Sequence, residues 1–316
     1  MRWPTYALTA ALIAASTASA VAGPVRPCAA PWKLTKTDTF TLPLGYTRSQ
    51  GVTWDGTSWI FSWQGGLSRT NDAYTPSAAG SIPAELLINN PSFTPANQNN
   101  DLGGNHIGDI DVYRGLVYAP VEEGGQNARA IRVNNPDYQR NYVALFDAKT
   151  LQYTGQKYLL PLAIQAAGVP WVAVDQASGD VYTDEWEMPR DRLNVFDSKL
   201  VFKRFVNLKY PAALGKGFHL NRVQGAKIIG STMYATRDDD KQTVFAIDLK
   251  SGLVTRLFAL NSTDPETEME GLAIRPMPDG SLLHTLTIYD AALDASGNQR
   301  NIRVAFDHWA PPAPCR

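Results

Sequence analysis

The sequence predicts an all-β fold, a single five-bladed β-propeller, from three observations. First, a sequence repeat, called here the repeated phrase, recurs about every fifty residues. It consists of two short apolar runs around a Gly-containing turn, followed by a third run that ends in Asp. The clearest copy occupies residues 172–197. Second, an alternating strand near the N-terminus has no partner nearby. Third, the two cysteines lie at opposite ends of the chain. Four short strands per repeat are the sequence signature of a propeller blade, which is a four-stranded meander.

Five innermost strands, one per blade, can be placed by the repeated phrase. They fall at residues 52–54, 110–112, 172–174, 226–228 and 272–274. Four third strands end in an aspartate that is expected to accept hydrogen bonds in the following turn: Asp147, Asp197, Asp248 and Asp307. Residues 72–105 are rich in Pro, Ser and Asn and are interpreted as a long loop. The alternative is a degenerate sixth blade in that segment.

The two chain ends are expected to meet in the last blade. That blade shows only three strands after residue 270, and residues 35–42 supply an alternating strand that can complete it. Closure of the ring in this way would bring Cys28 beside Cys315. A disulfide requires Cα atoms within about 7 Å, and an oxidising compartment favours pairing of two cysteines. Two unrelated free thiols are the alternative.

Residues 1–20 have the pattern of an export signal peptide. Arg2 precedes an apolar stretch, and residues 18–20 form an A-x-A cleavage site. The stretch is too short for a transmembrane helix. We therefore expect residues 21–316 to form one secreted or periplasmic propeller domain, a monomer without membrane insertion. Without Arg2, 28 basic side chains stand against 30 acidic ones, a balance that argues against a nucleic-acid partner.

One face of the ring is predicted to carry the function. The long connections join strand two to strand three or one blade to the next, and in a meander both classes lie on the same face. Functional loops cluster on one end of a rigid scaffold. Alignment of the blades selects two sets of residues at this face. Four residues before the inner strands stand Arg48, His106, Gly168, Arg222 and Glu268, and two residues before them stand Gln50, Gly108, Pro170, Gln224 and Glu270.

The predicted catalytic residues are His106, Glu268 and Glu270. His106 lies in a glycine-rich segment and can act as a general base or a metal ligand; the alternative is a histidine hydrogen-bonded within a loop. Glu268 and Glu270 share one strand face, so their repulsion can raise a pKa or attract a cation; the alternative is solvation at the rim. The predicted substrate-binding residues are Arg48, Gln50, Asp109, Trp171, Arg222 and Gln224.

Other motifs are weaker or missing. The acidic run 238–240 lacks the spacing of an EF-hand loop and is interpreted as a solvated turn. The sequence contains no G-x-S-x-G elbow, no P-loop and no H-E-x-x-H motif. The sequence motifs therefore do not indicate a reaction type.

The segment from Glu270 to Gly280, Glu-Gly-Leu-Ala-Ile-Arg-Pro-Met-Pro-Asp-Gly, resembles the blade opening of extracytoplasmic propellers of the phytase-like and gluconolactonase-like superfamilies. In those families an acidic residue that opens an inner strand can hold a divalent cation at the funnel. The resemblance thus implies that Glu270 is an acid or a ligand of a cation such as Ca²⁺. The chain departs from the pattern elsewhere, because the matching openings carry Gln50, Pro170 and Gln224.

Two function classes follow from these residues. The first is a hydrolase or lyase acting on an anionic small molecule or a sugar, with Arg48 and Arg222 binding the anion. His106 and the Glu268/Glu270 pair would then transfer protons. The second is a non-catalytic propeller that recognises glycans or a protein partner. The equivalent blade positions carry different residues, which favours one central site and hence an enzyme.

Overall fold

A computed structural model of the chain describes residues 31–87, 104, 106–122, 141–165, 168–186, 191–262, 267–289 and 303–312. Regular structure in these residues is almost all strand, arranged in five antiparallel sheets that form the blades of a propeller. The predicted five-bladed fold is confirmed. The helical pieces are α1 (Ala84–Leu87) and the 3-10 turns Tyr46–Arg48 and Ala212–Leu214. In the part of the chain just given, no helix has the length and apolarity that crossing a membrane requires.

The blades follow one another along the chain. The first contains β2 (Gly51–Trp54), β3 (Trp59–Trp63), β4 (Gly66–Thr70) and β5 (Pro76–Ser81). In the second, β6 (His106–Ile107) and β7 (Asp111–Tyr113) both pair with β8 (Leu116–Glu122), followed by β9 (Tyr142–Asp147) and β10 (Tyr153–Leu159). The third contains β11 (Ala173–Val174), β12 (Val181–Thr183), β13 (Arg192–Phe196) and β14 (Phe202–Asn207).

The last two blades complete the ring. The fourth contains β15 (Val223–Ile229), β16 (Thr232–Arg237), β17 (Thr243–Asp248) and β18 (Val254–Ala259). The fifth contains β19 (Glu268–Ile274), β20 (Leu283–Tyr289) and β21 (Arg303–Ala310), with β1 (Lys33–Phe40) as its outermost strand. The inner strands β2, β7, β11, β15 and β19 contact one another in order, and β19 contacts β2 again. The five predicted inner strands therefore surround one axis.

The N-terminal strand closes the ring, as predicted. β1 pairs antiparallel with β21, so that Lys33 lies opposite Ala310 and Phe40 opposite Val304. Cys28 and Cys315 lie outside the described residues, and their disulfide stays a prediction. The register places the two ends side by side, five residues from each cysteine.

Residues 72–105 are not one long loop. Residues 76–81 form β5, the outer strand of the first blade, and residues 84–87 form α1. The Ser, Ala and Gly residues of β5 have low strand propensity, and the open edge of β4 supplies the hydrogen bonds that hold them extended. No alternation of apolar residues marks this strand, which explains why the sequence pattern missed it.

The aspartates at the ends of third strands are structural, with one exception to the expected pattern. Asp147, Asp197 and Asp248 accept backbone N–H groups of the turn that follows them, at 2.7–3.1 Å. Asp307 instead lies inside β21 and accepts a hydrogen bond from the Thr37 hydroxyl at 2.5 Å. The difference arises because its fourth strand comes from the N-terminus and no turn follows Asp307.

Backbone atoms of the inner strands and the Asp109 carboxylate fill the axis of the ring. A Cβ on Gly51 would lie 2.5 Å from the Asp109 Cα, and one on Gly271 would lie 2.8 Å from the Gly51 Cα. Glycine is required at these positions because the inner strands approach more closely than a side chain allows. The packed layer forms the floor of the funnel.

Asp109 joins three blades at this floor. Its carboxylate accepts the backbone N–H of Val52 at 2.9 Å and of Ala226 at 3.1 Å, and it forms an ion pair with Lys227 at 2.6 Å. Asp111 adds a second link, accepting the Thr53 hydroxyl at 3.0 Å and the Val174 N–H at 2.8 Å. Both aspartates are buried. They hold the inner strands in register and so fix the funnel above them.

Candidate site at the funnel mouth

A pair of carboxyl groups lies where β19 begins. The side chains of Glu268 and Glu270 are hydrogen-bonded to each other, and Glu270 is only 4% exposed. Burial raises the pKa of Glu270 well above its ordinary value, and the negative charges of Glu268, Asp238 and Asp109 raise it further. Two carboxyl groups share a hydrogen bond only when one carries the proton. Glu270 is therefore the acid, and Glu268 is the acceptor.

The fourth blade places a charged pair next to these carboxyls. The Arg222 guanidinium forms an ion pair with Asp238 and lies over the Trp186 ring, 5.5 Å from its centroid. Asp238 is buried, whereas 41% of the Arg222 side chain is exposed. A cation with one fixed partner and an open side can contact a ligand as well. Arg222 is thus the predicted binding residue that the structure leaves accessible.

Gln242 connects the fourth blade to the start of β19. Its side-chain amide donates to the Asp238 carboxylate at 3.0 Å and to the Thr267 carbonyl at 2.7 Å, and it accepts the Met269 N–H at 2.6 Å. These bonds correct the interpretation of residues 238–240 as a solvated turn for Asp238, which is buried, whereas Asp240 is exposed as expected. The run looked like a surface turn in sequence since nothing local marks the partner Gln242.

His106 lies between two polar partners from neighbouring strands. Its Nε2 lies 2.5 Å from the Gln50 Oε1, which assigns the proton to Nε2 because an amide oxygen only accepts. Its Nδ1 lies 3.3 Å from the Glu122 Oε1. Glu122 is itself held by the Val169 N–H at 2.5 Å. The imidazole ring is thus fixed between Gln50 and Glu122, and its buried Nδ1 faces the Glu122 carboxylate.

Glu122 is a mouth residue to which the sequence assigned a position but no role. It lies at the end of β8, directly opposite His106 in the antiparallel pair. The signal available in the sequence was its place at the end of a second strand, where the chain returns to the mouth. Its role depends on which residue of β6 lies opposite it, and the repeated sequence pattern does not predict the register of so short a strand.

Arg48 does not reach the funnel. It is fully buried between the first and fifth blades, with its guanidinium 4.2 Å from the Phe40 ring centroid and 5.3 Å from that of Phe61. It donates to the Tyr74 carbonyl at 2.7 Å. The 3-10 turn Tyr46–Arg48 carries the side chain away from the axis. The expectation of anion binding by Arg48 is therefore corrected to an interblade packing role.

The other predicted binding residues lie at different depths. Trp171 is 0% exposed and packs in the core between the third and fourth blades, so its ring is not a stacking surface. Asp109 is fully buried in the floor. Gln50 and Gln224 are buried at the starts of their strands, and Gln50 holds His106. The candidate residues thus form two groups, His106 with Glu122 in the second blade, and Arg222, Asp238, Glu268 and Glu270 where the fourth blade meets the fifth.

The donor set does not fit a calcium ion. Within the described residues no group of three or more His, Cys, Asp and Glu side chains is arranged to hold a metal. Without a cation Glu270 carries the proton of the Glu268/Glu270 pair, and Ca²⁺ would have to displace that proton to bind there. No step of the chemistry is therefore assigned to a cation.

The described part of the mouth has an excess of carboxyl groups. Arg222 and Arg237 are its described cations. The acidic residues are Glu122, Asp238, Glu268 and the protonated Glu270, together with Asp184 and Glu185, which directly follow β12, the second strand of the third blade. An acidic cleft repels anions and favours neutral or cationic molecules. This excess of carboxyl groups argues against the expected anionic substrate and favours a sugar, the other substrate class expected from the sequence.

Comparison with known proteins supports the fold. No family model matches the sequence, and no curated protein matches it. A mutant of the GH43 protein BlXynB from Bacillus licheniformis has a TM-score of 0.55 at 13% identity, with 88% of this chain and 58% of that chain covered. Apo AztD from Citrobacter koseri has a TM-score of 0.32 at 14% identity, with 65% and 45% covered.

The chain spans about half the length of these solved structures. At such low identity the likeness to the GH43 protein concerns the fold alone. It agrees with the propeller fold that the phytase-like and gluconolactonase-like resemblance implies. Membership of either superfamily stays a prediction.

Proposed function

We propose that this chain is a hydrolase or lyase that acts on a carbohydrate at the funnel mouth. The observation that carries the proposal is the buried Glu270 acid hydrogen-bonded to Glu268. A carboxyl group kept protonated near neutral pH can donate its proton to a leaving oxygen, which is what cleavage of a sugar derivative requires.

The residues divide into an acid and a base in this proposal. Glu270 donates the proton, and Glu268 holds it in place until transfer. His106 serves as the base after its ring turns toward the substrate, because in this structure Nδ1 is buried against Glu122 and Nε2 bonds Gln50. Arg222 and Trp186 bind sugar hydroxyls and a sugar face at the open side.

The carboxyl geometry restricts the reaction. Glycosidases that use two carboxylates hold them about 5–9.5 Å apart, on either side of the glycosidic bond. Glu268 and Glu270 share a hydrogen bond and therefore act as one acid. The second proton-transfer group must come from elsewhere, and His106 with Glu122 is the candidate.

The test is an activity screen with matched variants. Purified protein is incubated with neutral and acidic oligosaccharides and with sugar lactones, and products are detected by mass spectrometry. Glu270→Gln should lower activity by about 10²–10⁴-fold, the usual contribution of a general acid. Its melting temperature should change little, because a glutamine amide can still donate to Glu268. Glu85→Gln, on the exposed helix α1, is the matched control. Full activity in Glu270→Gln would overturn the proposal.

A second candidate is a carbohydrate-recognition propeller without catalysis. The observation in its favour is the accessible Arg222 beside the Trp186 ring, a pair that can bind a sugar without any proton transfer. Binding of an oligosaccharide that is lost in Arg222→Ala, with no product from any substrate, would select this function.

We also propose that residues 1–20 are removed on export and that the mature chain is a monomer in an oxidising compartment.

A further inference from the structure

A cavity lies between the fourth and fifth blades, away from the inner strands. Its volume is about 570 Å³, within the range that holds small molecules. Its walls come from the outer strands β1 and β21, the end of β20, and the segment after β18. None of its lining residues belongs to an inner strand. A molecule in this groove would therefore not touch the carboxyl pair of the mouth.

The groove exists because the side chains on one face of β21 change along the strand from a large aromatic ring to small or polar groups. Residues 303, 305, 307 and 309 share this face, since side chains alternate on a strand and β21 pairs regularly with β20. Trp309 packs against Phe258 of the fourth blade, with ring centroids 4.3 Å apart. Beyond Trp309 the same face carries Asp307 and Ala305, which are polar or small. The two blades consequently pack at one end and separate at the other.

The described lining residues offer hydrogen-bond donors and acceptors without net charge among them. Asp307 takes one hydrogen bond from Thr37, and no described residue bonds its second carboxyl oxygen. Arg303 is exposed and lies over the Tyr289 ring, 4.8 Å from its centroid. Asn261 and Thr39 complete the polar wall. One cation and one carboxyl balance each other, which favours a neutral ligand over an ion.

Polyhydroxylated rings fit this lining better than other neutral molecules. Each sugar hydroxyl both donates and accepts, so it is satisfied by a carboxyl, a guanidinium and an amide placed around it. The C–H face of a sugar can lie on the small apolar surface of Ala305 and Leu260.

We propose that the groove between the fourth and fifth blades is a second binding site, which takes a neutral saccharide of one or two rings. The site is separate from the proposed catalytic mouth and holds the substrate polymer or a related glycan without cleaving it. Arg303 and Asp307 bind hydroxyl groups, and Asn261 bonds a further one at the rim.

The test is NMR titration of ¹⁵N-labelled protein with xylobiose, cellobiose and maltose. The expected result is shifts at Thr37, Thr39 and Asn261 with one of these sugars. Arg303→Ala should weaken that binding about tenfold or more, and Asn261→Gly should weaken it less. Glycine suits Asn261, whose φ is +52°. Glu270→Gln should leave the groove affinity unchanged, which separates this site from the funnel.

Three results would overturn the proposal. The first is the lack of groove shifts with all three disaccharides. The second is an affinity that Arg303→Ala leaves intact. The third is binding of glucuronate, a sugar anion, at the groove in preference to the neutral sugars. Because Arg303 is exposed, its variant is expected to fold, and a melting curve checks this. Loss of activity in Glu270→Gln with groove binding retained supports both sites independently.

Discussion

Lys227 is expected to be the side chain on which the funnel floor depends most. It is buried, and its Nζ lies 2.6 Å from the Asp109 carboxylate and 3.0 Å from the Ala226 carbonyl. Lys227→Met keeps most of the length of the side chain and removes the charge. The variant leaves Asp109 buried with two backbone N–H donors, from Val52 and Ala226, and no counter-charge.

The expected loss of stability is about 3–5 kcal/mol, the usual cost of removing one partner from a buried ion pair. Burial already raises the pKa of Asp109 to about 7 against the lowering effect of Lys227. Without Lys227 the pKa rises further, and Asp109 can take up a proton to reduce the cost. When folding raises the pKa of a carboxyl group, that group makes the folded protein less stable as the pH increases. The destabilisation should therefore be smaller at pH 5.5 than at pH 8.

The assay is urea unfolding at both pH values, for the wild type, Lys227→Met, Asp109→Asn and the double variant. The double variant should recover much of the stability that Lys227→Met loses, because no unpaired charge remains. A matched control is Lys203→Met, whose ion pair with Asp180 is partly exposed and should contribute less than about 1 kcal/mol. A Lys227→Met variant within about 0.5 kcal/mol of the wild type at both pH values, judged against mutational scatter, would refute the reasoning.

Three other predictions concern the chain ends and the interface of the fifth blade. Non-reducing peptide mapping of exported protein should yield one peptide pair linked through Cys28 and Cys315; two free thiols would contradict ring closure by a disulfide. Deletion of β1 should expose the edge of β21, lower the melting temperature and promote aggregation, and an unchanged melting curve would count against the closure. Burial lowers the pKa of His284 to about 3 from 6.5, so the unfolded chain takes up a proton that the folded chain does not. Stability should fall by up to about 4–5 kcal/mol between pH 6.5 and pH 3, and His284→Gln should remove that part of the slope; an unchanged slope would contradict it.

The repeated phrase was sufficient to predict the blades because the information is local. Each inner strand is a short apolar run before a tight turn, and all five were placed correctly. Ring closure by β1 was predictable for a topological reason, since a strand without a neighbour and a blade lacking one strand complete each other. β5 was missed because its extended form depends on the edge of β4 and not on its own residues.

Side-chain direction at the mouth was harder to predict than position along the blade. Arg48 aligns with His106 and Arg222, yet a 3-10 turn sends its side chain between blades. Glu122 and Gln242 act through contacts across strands, at separations from their partners that the sequence does not encode locally. Glu268 and Glu270 could be paired in advance because strand alternation places them on one face.

The measurement that tests the central claim most directly is the protonation state of Glu270. Infrared difference spectroscopy or ¹³C-carboxyl NMR of labelled protein, compared with Glu270→Gln, reports whether one glutamic acid stays protonated at neutral pH. In glutamate-labelled protein we expect one protonated carboxyl signal at pH 7 that disappears in Glu270→Gln and titrates well above the ordinary range, because the group is buried beside Glu268. Two fully ionised glutamates at pH 7 would contradict the assignment of Glu270 as the acid of the funnel.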